Sequence, residues 1–182
     1  TVVNHEILVL IGEQGLYKTT WFNFLLPPEL RCYFYTKTNS DRLNKDDLFS
    51  LTEFALICFE ELDGMRPAEL NQLKAMVTMP YVNERAAYGR NKERHPHIAS
   101  FCGTGNNVQF LTDPTGNRRW LPFEVSQIRD PHLHAIPYEL VYSQAYALWK
   151  SGFCHWFSQE EIRKLNMHNS RFEVPNLEED LI

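Results

Sequence analysis

The chain has 182 residues, 43% of them hydrophobic and 13% aromatic, enough apolar material for one domain with a sizeable core and too much for a disordered chain. Its formal net charge of −5 excludes a protein that coats nucleic acid through overall charge, so an anionic polymer would have to meet a local basic patch. No apolar run approaches the roughly 20 residues that cross a bilayer, and no signal-peptide pattern opens the chain, so no membrane role is expected.

The chain begins almost at once on an apolar run, with no methionine, and reads as a piece of a longer protein. Residues 6–11 end in Ile7-Leu8-Val9-Leu10-Ile11, a short buried strand. It breaks into Gly12-Glu13-Gln14-Gly15-Leu16-Tyr17-Lys18-Thr19-Thr20, and a helix is expected over residues 18–26, stopped by Pro27-Pro28. That is the layout of a phosphate-binding loop, G-x-x-x-x-G-K-[ST]. Backbone N–H groups and a helix N-terminus face the phosphates, the lysine adds charge, and the hydroxyl ligates Mg²⁺. Tyr17 stands where the second glycine of the motif belongs. Glycines also suit any tight turn, so the rest of the chain has to decide the reading.

Residues 32–36 read as an aromatic strand, residues 37–44 as a polar loop and residues 45–54 as an amphipathic helix. Residues 55–59 form a second apolar run, closed by Glu60-Glu61. Carboxylates at such a strand end perform the Walker B task, with Glu60 assigned to the metal, Glu61 to the attacking water and Asp63 as the alternative for either. A solvated loop would look the same in isolation.

Pro67 opens a helix over residues 67–79. Residues 81–97 fit a hairpin that carries Arg85, Tyr88, Arg90, Lys92, Arg94 and His95. Cations beside a ring suit single-stranded nucleic acid, although charged hairpins are commonly just solvated. A strand is expected over residues 97–102 and a sharp loop over 103–107, where Asn106 can orient a lytic water, with Asn107 and Thr104 as competitors. After a turn at residues 113–117, Arg118-Arg119 open a last strand; one guanidinium can serve a neighbouring subunit as an arginine finger, or the pair can bond local carboxylates.

From Tyr138 the pattern is helical, and the Tyr138, Tyr142, Tyr146, Trp149 stripe reads as core packing. Ser158 with Glu161 three residues on marks another helix start. Cys32, Cys58, Cys102 and Cys154 form no C-x-x-C pair, and three lie in strand-like runs as small core residues. A reducing cytoplasm is the expected compartment. Alternating strands and helices predict an α/β fold with a mostly parallel central sheet flanked by helices. Three loops, at residues 12–19, 60–63 and 104–107, fall at strand carboxyl ends, where such sheets bind ligands.

With these motifs placed, the chain resembles the virulence-associated protein E family of P-loop ATPases from phages and mobile elements. The resemblance rests on residues 12–21, on Phe59-Glu60-Glu61-Leu62-Asp63, and above all on residues 101–122, which include Asn106 and the Thr115-Gly116-Asn117-Arg118-Arg119-Trp120 run. It implies an AAA+-like core related to superfamily 3 helicases. That core would span residues 1–126, with a hairpin insertion near 81–97 and a C-terminal helical portion, residues 127–182, packed on it. It further implies ATP and Mg²⁺ at Lys18, Thr19, Glu60 and Glu61, Asn106 as sensor 1, and Arg118 or Arg119 as the finger. DNA would meet the hairpin. The expected partners are an upstream primase-like domain and further copies in a hexamer-like ring, this piece itself being a monomer. The sequence departs from the family pattern at Tyr17 and at Gly105, where a threonine is more usual. The expected function is an ATP-hydrolysing helicase or translocase module; the alternative is a nucleotide-binding assembly module with little turnover. A small-molecule P-loop kinase is disfavoured, because it would leave the arginine pair and the basic hairpin without a job.

Overall fold

A computed structural model describes residues 3–38, 44–84, 91–112 and 117–175. Strand β1 (Ile7–Ile11) lies inside a five-stranded, all-parallel sheet of order β2-β3-β6-β1-β7. The other members are β2 (Phe34–Lys37), β3 (Leu56–Phe59), β6 (Ser100–Gly105) and β7 (Trp120–Glu124). A parallel sheet needs cover on both faces, and the two-residue alternation of β1 supplies both. Ile7, Val9 and Ile11 join Phe59, Phe101, Leu62, Leu73 and Trp120 in one core. Leu10 joins Cys58, Cys102 and the wholly buried Phe22 in the other.

Helix α1 (Lys18–Leu25) follows β1 and brings Phe22 to the second face. Helix α2 (Lys45–Glu53) starts on a capping box, Asn44 accepting from the Asp47 amide while Asp47 accepts from that of Asn44. The Asp47 carboxylate also holds the buried Lys37 ammonium at 2.7 Å, tying the end of β2 to the start of α2. Helix α3 (Pro67–Val77) lays Leu70, Leu73 and Val77 on the first face. Strands β4 (Tyr81–Glu84) and β5 (Glu93–Pro96) pair antiparallel as the expected hairpin, whose residues 85–90 lie outside those described. Helix α5 (Gln159–Asn169) starts on Ser158 with its capping box to Glu161.

Three local expectations are corrected. The aromatic run at residues 32–36 is split between a 3-10 turn (Pro28–Tyr33), opened by Pro28, and β2, and this leaves Cys32 exposed rather than in the core. The strand expected from residue 97 starts at Ser100, because the amides of Ile98 and Ala99 are spent on the Leu51 carbonyl and His97 Nδ1 lies 2.7 Å from the Met79 carbonyl. Residues 103–105 therefore belong to the strand, and the loop begins at Asn106.

Helix α4 (Tyr138–Lys150) is the third. None of its residues is buried, and Tyr146 and Trp149 are exposed where core packing was expected. The tyrosines do different work at the end of α1. The hydroxyl of Tyr138 donates to the Phe24 carbonyl at 2.6 Å and that of Tyr142 to the Leu25 carbonyl at 2.9 Å. These are last-turn carbonyls that a helix leaves without partners, so α4 caps α1 instead of filling a core. No helix among the described residues is long and apolar enough to cross a membrane.

Candidate functional site

The parallel register puts Ile11, Gly105 and Glu124 side by side, so the loops after β1 and β6 leave the sheet at the same carboxyl edge. There they open on a cavity of about 490 Å³ lined by Gln14, Gly15, Leu16, Tyr17, Lys18, Thr19, Thr20, Thr38, Glu60, Glu61, Thr104 and Asn106. The three loops singled out in the sequence thus share one site. Gly12 lies at its root, where a Cβ would come 2.3 Å from the Val125 carbonyl oxygen, so packing against the end of β7 is enough to require the glycine. The Glu13 side chain points to solvent while its carbonyl faces Lys18.

Tyr17 adopts the left-handed conformation (φ 59°, ψ 20°) that explains the glycine usual there. It offers no side-chain cap to α1, and no acidic residue occupies the first turn, so the N–H groups and positive end of the helix face the cavity. The Lys18 ammonium is buried and donates to the carbonyls of Gly12 (2.6 Å) and Glu13 (2.7 Å) and to Asn106 Oδ1 (3.2 Å). Burial pushes its pKa below the ordinary lysine value, and the Asp63 charge opposes that shift.

Thr19 Oγ1 donates to Glu60 Oε1 at 2.7 Å, joining the phosphate loop to the end of β3. A hydroxyl beside a carboxylate is a hard oxygen donor set, and it fits Mg²⁺. Glu61 is exposed on the cavity wall and, like Tyr17, sits at positive φ (54°). Tyr17 and Glu61 are the described non-glycine residues in this conformation, and both line one cavity, as backbone strain at functional sites tends to do.

Asp63, the alternative metal or water residue, has a different occupation. Its two carboxylate oxygens accept from the backbone amides of Asn106 (3.1 Å) and Asn107 (3.2 Å). A Cβ on Gly105 would lie 3.0 Å from Asp63 Oδ1 and 2.9 Å from Ile11 Cδ1. The departure at Gly105 therefore makes room for the carboxylate that holds the Asn106 loop. Asn107 turns its own Oδ1 to the Gln109 amide, a local turn contact, which leaves Asn106 as the asparagine facing the cavity. Thr38 also lines the cavity; its position directly after a strand was the available signal, obscured because residues 37–44 read only as a loop.

The arginines lie elsewhere. Trp120 pairs with Ile7, so Arg118 and Arg119 precede β7 at the amino edge of the sheet, on the order of 15 Å of strand from their own phosphate loop. Arg118 is exposed, whereas Arg119 is half-buried, its Nε without a partner. Burial and the neighbouring Arg118 charge both lower the Arg119 pKa. The pair borders a second cavity of about 350 Å³ with His5, Glu6, Trp156 and Phe157. On the hairpin, Lys92 is exposed and the Arg94 guanidinium lies 3.6 Å from the Tyr81 ring centroid. Arg85, Tyr88 and Arg90 lie outside the described residues.

The model of the virulence-associated protein E-like domain matches residues 3–174. No curated protein matches the chain. Among solved structures, the apo structure of the NrS-1 C-terminal region (305–718) is 13% identical, with a TM-score of 0.53, over 92% of this chain and 35% of that one. The A form apo structure of the same region is 12% identical, with a TM-score of 0.49, over 93% of this chain and 34% of that one. The chain thus spans about a third of the solved chains it matches. It belongs to the virulence-associated protein E-like domain family.

Proposed function

We propose that this family member is an ATP-hydrolysing helicase or translocase module that acts on DNA, from a replication protein of a phage or mobile element. The observation that carries the reading is the meeting of Lys18, the Thr19–Glu60 pair and Asn106 in one cavity at the carboxyl edge.

ATP is the substrate. Its phosphates take the open N–H groups of the first turn of α1, and Lys18 exchanges the Gly12 and Glu13 carbonyls for phosphate oxygens. Thr19 and Glu60 are the residues to hold Mg²⁺, which when bound neutralises phosphate charge. Glu61 accepts the proton of the attacking water, and Asn106, positioned by Lys18 and Asp63, orients that water. Arg118 and Arg119 are too far to act on their own site, so they serve the nucleotide of the next subunit. One edge of the sheet meeting the opposite edge of the next copy is a head-to-tail contact, the kind that builds a ring when its rotation closes. The β4–β5 hairpin, with Lys92, Arg94 and the basic residues between its strands, meets single-stranded DNA. In this reading the module works beside a primase-like domain upstream of it, as the family resemblance implies.

Tyr17 favours a second reading, a nucleotide-binding assembly module with little turnover, since a side chain stands where the motif has none. Calorimetry and phosphate release on the same sample separate the two. The motor reading expects ATP binding plus hydrolysis with Mg²⁺ and single-stranded DNA, both lost in Lys18→Ala. Binding without hydrolysis at high protein concentration would leave the assembly module.

A further inference from the structure

Among the described residues neither guanidinium of the Arg118–Arg119 pair has an ion pair, and Arg119 Nε has no partner at all. Where the arginines reach is therefore set by the backbone of the 3-10 turn (Asn117–Arg119) that carries them. That turn is held from a distance of some fifty residues. Asn169, the last residue of α5 and wholly buried, donates through Nδ2 to the Asn117 carbonyl at 2.7 Å and to the Trp120 carbonyl at 2.9 Å. One amide thus bridges the residues on either side of the arginine pair. Asn117 donates through its own Nδ2 to Glu173 Oε1 at 2.6 Å.

Glu173 is in turn fixed by the segment that follows α5. The carbonyl of Phe172 accepts from the amides of Phe110 and Leu111, both at 3.0 Å, and the Val174 amide donates to the Leu111 carbonyl at 2.9 Å. The Phe110 ring meets those of Trp120 and Phe172 edge-on, closing the clasp with apolar contact. Nothing in this arrangement touches the nucleotide cavity.

We infer that Asn169 and Glu173 are positioning residues for the arginine turn, so that the C-terminal segment sets the reach of the trans arginines. The inference rests on the reading of those arginines as donors to a neighbour's nucleotide. A shift of about 1 Å in a catalytic group is worth up to a hundredfold in rate, so loosening the turn acts on turnover and leaves binding at the chain's own phosphate loop alone.

The test uses Glu173→Ala, which removes the acceptor from a half-buried site, with Glu173→Gln as the conservative variant and Asn169→Asp as the stronger lesion. Each is measured for kcat with single-stranded DNA, for the dissociation constant of Mg·ATP and for its melting temperature. Glu173→Ala is expected to lose about tenfold or more in kcat with ATP affinity close to wild type and a melting temperature lowered by only about 2–6 °C, and Glu173→Gln to recover most of both losses. Mixing Glu173→Ala with Lys18→Ala, whose arginine turn is intact, should restore turnover, which a general packing defect would not allow. The inference is overturned if Glu173→Ala turns over at the wild-type rate while Arg118→Ala or Arg119→Ala does not, or if mixing restores nothing. If both arginine variants keep wild-type turnover, the trans reading falls and this inference with it.

Discussion

Replacing Tyr17 by glycine and, separately, by alanine isolates the backbone demand of the phosphate loop. At φ 59° a non-glycine residue carries about 1–2 kcal/mol of strain, which glycine removes and alanine keeps. Against this, glycine loosens the unfolded chain by about 0.4–1 kcal/mol. Both variants lose the ring, which is 43% exposed and so has about 1 kcal/mol of burial to give up. For Tyr17→Gly the contributions nearly cancel, and its stability should lie within about 1 kcal/mol of wild type, a melting shift of no more than about 4 °C. Tyr17→Ala keeps the strain and loses the ring, so it should melt below Tyr17→Gly by an amount worth about 1 kcal/mol. Urea unfolding of the three proteins, compared at equal m-value, reads this directly. If alanine proves as stable as glycine, residue 17 is not held in the left-handed conformation, and the account of how this loop tolerates a tyrosine is wrong.

Gly105→Ala must push apart Ile11 and the Asp63 carboxylate and should cost about 1–3 kcal/mol in urea unfolding; a neutral result would deny the close approach. Asp63→Ala frees the Asn106 and Asn107 amides, a loss of about 0.5–1.5 kcal/mol for each hydrogen bond, and should speed hydrogen exchange at those two positions. Unchanged exchange there would remove Asp63 from the loop. His97 is buried, which lowers its pKa below the ordinary 6.5, although its contact with the Met79 carbonyl opposes the shift. Its neutral form is favoured in the fold, so the unfolded chain takes up the proton first. The stability it contributes is complete above about pH 6.5 and is lost as pH falls from there through the lowered value. Acid melting of His97→Gln should lack that component, and a profile identical to wild type would contradict it.

The meeting of the three loops at one site was legible in the sequence because motif spacing and strand ends are local. Lys18, Thr19, Glu60 and Asn106 needed only the inference that parallel strands end on one edge, and the register of β1 with β6 supplies it. What failed depends on partners far along the chain. The apolar stripe of α4 looks like any core-facing helix, and nothing local says that Tyr138 and Tyr142 spend their hydroxyls on α1. The start of β6 is set by the Leu51 carbonyl, nearly fifty residues away, which no periodicity encodes. The charge of Asp63 is visible in the sequence, but its occupation with two backbone amides is a fact of geometry. The amino-edge location of the arginine pair follows from the parallel register of β7 with β1, which the sequence pattern leaves open.

A hydrolytic site shared between copies of the chain, as proposed above, is reached by one mixing experiment. Lys18→Ala lacks a working phosphate loop but carries both arginines; the double variant Arg118→Ala/Arg119→Ala has the reverse defect. Each should be inactive alone with Mg·ATP and single-stranded DNA, and the mixture should hydrolyse ATP, because the first lends its arginines to the second. A double arginine variant that turns over at the wild-type rate, or a mixture as inactive as its parts, would contradict the claim.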